Sequence, residues 1–306
     1  MSDIHNAKNL NTATQAIERV TRISEEQFYK EYLLPKKPLV MTDMISHWGA
    51  MQKWSFDFFL QLQSEQEVHV EIGNVAQNTT DFRQENFSEF IARLSNDESE
   101  PNPHETKPNA NQKERTAYLS VFDIFSEFPE LKADIDFRLL TKHKIKNYVF
   151  CWIGPKGTVS GYHTDWADNI LAQIYGRKRV CLVAPEQSRY MYPSSKYETG
   201  SILSSVDANH YDEKKYPLFQ KATQMATVIN PGEIIFIPRG WWHHVESLDK
   251  SISVNNFGLN LKEVLLYDVP RKVKNILHNY GLYGRECTCH MIQNGKKIGN
   301  PQTNIS

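Results

Sequence analysis

Long apolar runs are missing from this chain of 306 residues. No window approaches the roughly 18 continuous apolar residues of a membrane span. The opening stretch MSDIHNAKNLNTATQAIERV has no apolar core of signal-peptide length. Cysteine is scarce, and four in a chain this long do not build a disulfide framework. The expectation is a soluble, cytoplasmic protein with reduced thiols. Excess charge is missing too: 35 Lys and Arg face 36 Asp and Glu. That near balance argues against a dedicated nucleic-acid binder, although it leaves room for a local basic patch. No internal repeat is visible. What is present is 40% hydrophobic and 11% aromatic content, enough for a substantial core.

The pattern divides the chain into three stretches. Residues 1–116 read as helices and strands flanking a barrel. Residues 13–32 read as a helical lead-in, Lys37–Asp43 as a buried strand, Trp54–Gln63 as a helix and Glu67–Asn74 as an alternating strand. Ser88–Leu94 reads as a helix with Ser88 as its N-cap. Within this part, residues 96–115 hold three prolines and no aliphatic residue larger than Ala110, so a mobile loop is expected there. Residues 117–260 read as short, closely spaced strands, which point to an antiparallel sandwich or barrel. Residues 261–306 read as a helical segment and a tail. Leu261, Val264, Leu265, Val269, Val273, Ile276, Leu277 and Tyr280 recur at helical spacing. Pro270 should split the pattern into two helices and start the second.

Three features of the strand-rich part carry chemistry. In SGYHTDWADN, His163 and Asp165 stand two positions apart, so an extended strand presents both on one face. About eighty residues on, PRGWWHHVES holds His243 and His244 on opposite faces. His243 shares its side with Trp241 and Val245, His244 with Trp242 and Glu246. The more apolar set should face inward, which favours His243. Two histidines and one carboxylate form the set that binds ferrous iron on one side and leaves the other open. In RKRVCLVAP, Lys178 alternates with Val180 and Leu182, while Arg177 and Arg179 take the other face. A lysine on an apolar inward face needs an anion to offset its desolvation, and a small dicarboxylate would serve. Taken singly, each feature has a plainer reading: a surface His–Asp pair, a core histidine, or a lysine whose head reaches water.

SGYHTD, NILAQIYGRKRVCLVAP, PGEIIFIPRGWWHHVES and VNNF, in that order, make the segment from about Glu26 to Asn260 resemble the JmjC/cupin-like iron(II) and 2-oxoglutarate oxygenases. The likeness divides between a branch that hydroxylates an asparagine of hypoxia-inducible factor and a branch that hydroxylates the wybutosine base of tRNA. The resemblance implies a mainly β fold with α elements, a double-stranded β-helix (jelly-roll, cupin/JmjC) core wrapped by helices. It implies His163, Asp165 and His243 as iron ligands. It places Lys178 and Tyr118 on the distal carboxylate of 2-oxoglutarate, with Ser160, Asn169 and Asn255 lining the same pocket. Fe(II), 2-oxoglutarate and O2 are the implied cofactor and cosubstrates, and succinate and CO2 the coproducts.

The expected substrate is a protein side chain, with a tRNA base as the alternative. Lysine demethylation and a metal-binding cupin without oxygenase activity are further readings. No membrane partner is expected. The asparaginyl branch pairs through its C-terminal helices, so a homodimer through the helices between Leu261 and Tyr280 is expected. Cys287, Cys289 and His290 in ECTCHM read as a reduced tail in preference to a zinc site, which needs four ligands.

Overall fold

The computed structural model describes residues 15–72, 81–96, 117–209, 211–284, 286–287, 290–293 and 296–299. The loop expected at 96–115 lies outside them from residue 97 onward.

In chain order the strands are β1 (Gln15–Ala16), β2 (Arg19–Thr21), β3 (Leu39–Thr42), β4 (Glu67–Ile72), β5 (Asp81–Asn86), β6 (Ala117–Phe122), β7 (Lys146–Gly154) and β8 (Val159–Asp165). There follow β9 (Asp168–Tyr175), β10 (Lys178–Val183), β11 (Ser201–Leu203), β12 (Met225–Ile229), β13 (Ile234–Ile237), β14 (Trp242–Ser247) and β15 (Ser251–Leu259). Within one sheet β13, β9, β15 and β7 lie side by side, and within the other β12, β10, β14 and β8. Each neighbouring pair in these two sets is antiparallel. The chain passes back and forth between the sets, and that is the jelly-roll arrangement. The remaining strands extend the two layers to six and nine strands. The fold is mainly β with helices around a jelly-roll core.

Alternation explains which residues face which layer. Val40, Leu171, Ile235 and Ile237 of the nine-stranded sheet meet Val180, Leu182 and Ile229 of the six-stranded sheet in one apolar cluster. Their neighbours Leu39, Met41, Ile170, Ala172, Ile234 and Phe236 point the other way. They pack against Phe28, Trp48, Phe59, Phe87 and Phe90 of the N-terminal helices. A sheet covered on both faces needs apolar residues at every position, which is why IIFI in β13 is uninterrupted. On the outer face of the six-stranded sheet, Cys181, Val183, Tyr162 and Trp242 are covered by Met191, Val206 and Phe219.

The turns follow their sequences. Asn230-Pro231-Gly232 links β12 to β13, with Gly232 at φ 89°. At the β9–β10 turn Gly176 has φ 69°, and a side chain there would strike the Lys250 carbonyl.

Three local expectations are corrected. The stretch read as a helical lead-in begins with β1 and β2; Gln15–Ala16 pairs with β12, and Arg19–Thr21 with β3. Only from Glu25 does helix form, capped by Ser24. The helix expected from Ser88 runs Phe87–Asn96. Its capping side chain is Asn86, whose Oδ1 accepts from the Ser88 and Glu89 amides at 2.9 and 3.3 Å. The two C-terminal helices are one continuous run. Leu261–Glu263 is α-helical with an Asn260–Glu263 capping box, Val264–Asp268 is a π turn, and Val269–Asn279 continues with Pro270 in its first turn. Proline has no N–H to give to the ladder, and the widened turn before it absorbs the mismatch. Beyond it, β16 (His290–Gln293) and β17 (Lys296–Gly299) pair as an antiparallel hairpin.

A buried ionic cluster ties three distant stretches beside the β8–β9 turn. Lys36 and Lys144 reach Asp168 at 2.7 and 2.6 Å and Glu263 at 3.0 and 2.9 Å. The Arg239 amide donates to Asp168 at 3.0 Å. Burial opposes charge on Asp168, but Lys144 and then Lys36 outweigh it and hold its pKa below the usual carboxylate value. Asp168→Ala leaves Lys144 buried without that partner, so we expect a loss of about 3–5 kcal/mol in urea unfolding. Because the folded pKa is depressed, Asp168's contribution is present above the ordinary carboxylate pKa. It disappears as pH falls through the depressed one, where variant and wild type converge.

Candidate active site

The antiparallel pairing of β14 with β8 sets His243 directly opposite His163, and a bulge follows between His243 and Val245. The rings lie 4.0 Å apart between centroids. Asp165, two positions along β8, turns to the same side. Its carboxylate oxygens lie 3.7 Å from His163 Nε2 and 3.3 Å from His243 Nε2. Ligand atoms of the three residues fall within 4.8 Å of one another. Each histidine has its other nitrogen committed: His163 Nδ1 meets the Gly161 carbonyl at 2.7 Å, and His243 Nδ1 the Trp241 carbonyl at 3.0 Å. A carbonyl only accepts, so Nδ1 carries a proton and Nε2 is the nitrogen turned toward Asp165, the atom a metal would take after displacing any proton that His243 shares with that carboxylate.

The electrostatics match a ligand set. Burial first, then neighbouring His243, pushes the His163 pKa down to about 4, so it is neutral at ordinary pH. Burial disfavours charge on His243, yet Asp165 beside it outweighs this and raises its pKa. Burial likewise opposes charge on Asp165, and His243 prevails to hold its pKa below the usual value. Two oriented imidazoles and one carboxylate on one side of a cavity fit a divalent transition metal with open positions.

All eight residues singled out from the sequence line this one cavity: Tyr118, Ser160, His163, Asp165, Asn169, Lys178, His243 and Asn255. Lys178 is 1% exposed and donates to the Tyr118 hydroxyl at 3.1 Å. Burial alone drives its pKa down to about 7, against a slight upward pull from Cys151. Tyr118, also buried, has its pKa raised by burial first. Arg177 and Arg179 face away and pair with Asp249 and Glu246 at 2.7 and 2.8 Å. A buried ammonium whose one hydrogen-bond partner among the described residues is a neutral hydroxyl is a standing cost that an arriving carboxylate would remove. The donor set at one end and this cation at the other are what iron and a dicarboxylate require.

His244 projects from β14 to the opposite side of the sheet. There it meets the Tyr162 ring edge-on at 5.4 Å, next to Cys181 and away from the cavity.

Sequence reasoning did not find the support behind these residues. Trp152 Nε1 donates to Asn255 at 3.0 Å, Asn255 to Asn169 at 3.2 Å, and Asn169 to Asp165 at 3.1 Å. The chain of donors ends on the carboxylate and fixes its orientation. Glu71 was missed as well. It is register partner to Tyr118 across β4 and β6, accepts from Ser120 at 2.7 Å, and has its pKa raised by burial to about 7. The alternating pattern gave no signal of this, since strand parity puts Glu71 with Glu67 and His69 on the face opposite the buried Val68 and Val70. Of the ECTCHM motif, Cys287 forms an isolated bridge with Tyr197, while Cys289 and the side chain of His290 lie outside the described residues.

A cupin-type jelly roll whose interior carries a facial two-histidine, one-carboxylate set defines a class of metal-dependent proteins. Residues 25–257 match the model of the cupin-like domain family. The chain is 34% identical to Lysine-specific demethylase 8 of Xenopus tropicalis over 78% of its own length and 52% of that protein. It is 32% identical to Lysine-specific demethylase JMJ30 of Arabidopsis thaliana, over 81% and 56%. To human tRNA wybutosine-synthesizing protein 5 it is 30% identical, over 80% and 78%. The chain spans little more than half the length of the two demethylases. It belongs to the cupin-like, JmjC-type oxygenase family.

Proposed function

We propose that the chain is an iron(II)- and 2-oxoglutarate-dependent dioxygenase that hydroxylates a polypeptide side chain. The observation that carries this is Lys178 beside Tyr118, in the cavity that also holds the two-histidine, one-carboxylate set. A metal-binding cupin without oxygenase activity needs the three ligands but has no use for a buried, anion-seeking lysine. His163, Asp165 and His243 would hold the iron, and Lys178 with Tyr118 the distal carboxylate of 2-oxoglutarate. When bound, iron and cosubstrate supply the oxidising power, with one oxygen atom leaving in succinate and the other in the product. The chain's own part is geometric and electrostatic. Carbonyls of Gly161 and Trp241 set the histidine tautomers, the Asn169 amide steadies Asp165, and Leu171, Ile237, Val245 and Phe257 keep the cavity dry. Anaerobic addition of iron(II) and 2-oxoglutarate together should produce a visible absorption band that neither gives alone. Its absence from wild type, or its presence in His243→Ala, contradicts the assignment.

Polypeptide is favoured over tRNA because two of the relatives named above are lysine-specific demethylases, and because one basic pair, Lys36 with Lys37, is spent on neighbouring acids. Lys36 is used on Asp168 and Glu263, and Lys37 on Glu18. A phosphate backbone needs several uncommitted cations in a row. The tRNA base is the second reading, supported by the 78% coverage of the human wybutosine protein. Mobility shift with bulk tRNA across a salt series separates the two. Lysine demethylation, named for the frog and plant relatives, uses the same ligands and enters as a further outcome of a proteome-wide mass search. Buried thiols at Cys151 and Cys181 support a reducing, cytoplasmic setting. Among the described residues, no helix is long and apolar enough to cross a membrane.

We also place a homodimer interface on the C-terminal helix. Leu261, Leu265, Val269, Val273, Ile276 and Tyr280 are exposed, Tyr280 by 79%. An exposed apolar stripe of this length marks an interaction surface. Wild type is expected to size as a dimer at micromolar concentration and Leu265→Glu/Ile276→Glu as a monomer. A monomeric wild type removes the interface from the account.

A further inference from the structure

Next to the metal cavity opens a larger cleft of about 660 Å³, and Asp165 lines both. Three cation–aromatic pairs line the cleft. Arg239 lies over the Tyr267 ring at 3.8 Å, Arg271 over Trp166 at 4.3 Å, and Lys274 over Tyr283 at 5.8 Å. Among the described residues the Arg239 side chain has a single hydrogen bond, to the Tyr267 hydroxyl at 3.1 Å. Arg271 is 7% exposed and shares Asp268 with Lys146, so two cations draw on one carboxylate. Nε of both arginines is buried without a partner among the described residues. Lys274 has no carboxylate within ion-pair reach among the described residues. The acids of the cleft do not balance this. Asp165 belongs to the metal set, and burial first, then Glu71, raises the Glu198 pKa to about 7. On the same sheet, by contrast, Arg179 is matched by Glu246. Excess positive charge in a half-dry cleft is costly until an anion fills it.

We infer that this cleft seats a carboxylate side chain of an extended polypeptide, a few residues from the one presented to the metal. The location relative to the reacting residue rests on the oxygenase reading; the carboxylate subsite itself does not. A guanidinium fork matches a carboxylate edge, and two guanidinium groups and an ammonium line this one cleft. A nucleic acid is disfavoured because Trp166, Tyr267 and Tyr283 already stack with cations and are not open plates for bases. Ser201 and Ile202 of β11 line the cleft, but the outward Leu203 carbonyl already accepts from the Ser194 amide at 2.7 Å, so the peptide is held here by its side chain and not by adding a strand.

The test uses the immobilised full chain and a pooled library of random ten-residue peptides, with the captured fraction read by mass spectrometry. Arg239→Gln/Lys274→Gln is the comparison, because neither side chain serves the metal or cosubstrate cavity. The expected result is about tenfold enrichment of Asp and Glu over Asn and Gln on wild type, falling to about twofold or less on the variant. Succinate production without substrate, measured in parallel, should be equal in the two proteins. Acidic enrichment without any succinate supports the subsite and removes the oxygenase reading. No acidic enrichment, enrichment that persists in the variant, or tighter capture of a thymidine decanucleotide than of the acidic peptides overturns the inference.

Discussion

Replacing His163 or His243 with alanine should lower iron-dependent turnover of 2-oxoglutarate by well over about 100-fold, the upper end of what loss of an outer partner costs. Each substitution removes one of two imidazoles whose Nε2 points at Asp165, and the tautomers set by Gly161 and Trp241 leave no second nitrogen to take over. Asp165→Ala should act alike. His244→Ala is the internal control. That side chain lies on the far side of β14 against Tyr162, so its loss should cost stability by about 1–3 kcal/mol and leave most turnover intact. Circular dichroism would show all four variants folded, and bound iron would be counted after dialysis. A dead His244→Ala beside an active His243→Ala would reverse the assignment of faces.

The second large effect is expected at Lys178. Lys178→Met should raise the concentration of 2-oxoglutarate needed for half-maximal rate by about 30-fold or more, since removing one partner of a buried charge pair costs roughly 2–5 kcal/mol. The same change should make the ligand-free protein no less stable, because it removes a buried ammonium paired only with a hydroxyl. Opposite signs in binding and stability separate a ligand-binding lysine from a structural one. The pH dependence follows from a folded pKa near 7 against the ordinary 10.5. The folded protein binds fewer protons at Lys178 than the unfolded chain between those values. Its cost is therefore absent above about pH 10.5, grows as pH falls and is complete below about 7. The advantage of Lys178→Met in stability should follow that curve. Affinity for 2-oxoglutarate, which needs the charged form, should weaken as pH rises above about 7 in wild type and stay flat in the variant. Arg177→Ala and Arg179→Ala, whose ion pairs face outward, should leave it unchanged.

Period-two alternation made much of this site legible. His163 with Asp165, His243 against His244, and Lys178 between Arg177 and Arg179 are statements about strand faces, and a strand's faces follow from its sequence. The jelly roll itself came through a resemblance; the residues alone said only sandwich or barrel. What strand parity cannot reach is contact between distant segments. The Trp152–Asn255–Asn169–Asp165 chain of donors joins four strands, and the Asp168 cluster joins residues 132 apart through Lys36. The excess charge of the cleft is of the same kind, since Arg239 and Arg271 line one cleft only once the C-terminal helix is packed. Residues 13–32 failed for another reason. β1 and β2 are two and three residues long and owe their form to pairing with β12 and β3, so their own sequence carries little strand signal. Ser88 was a reasonable cap, but Asn86, two residues earlier, is better placed for the first free amides.

The central claim is that this cavity binds iron(II) and 2-oxoglutarate together and uses them with dioxygen. The most direct measurement is succinate formed when the full chain, loaded anaerobically with iron(II) and 2-oxoglutarate, is exposed to air. The account predicts succinate that requires the metal, the cosubstrate and oxygen, and that is lost in His243→Ala. No succinate from the loaded wild-type chain, or equal succinate from His243→Ala, would contradict it.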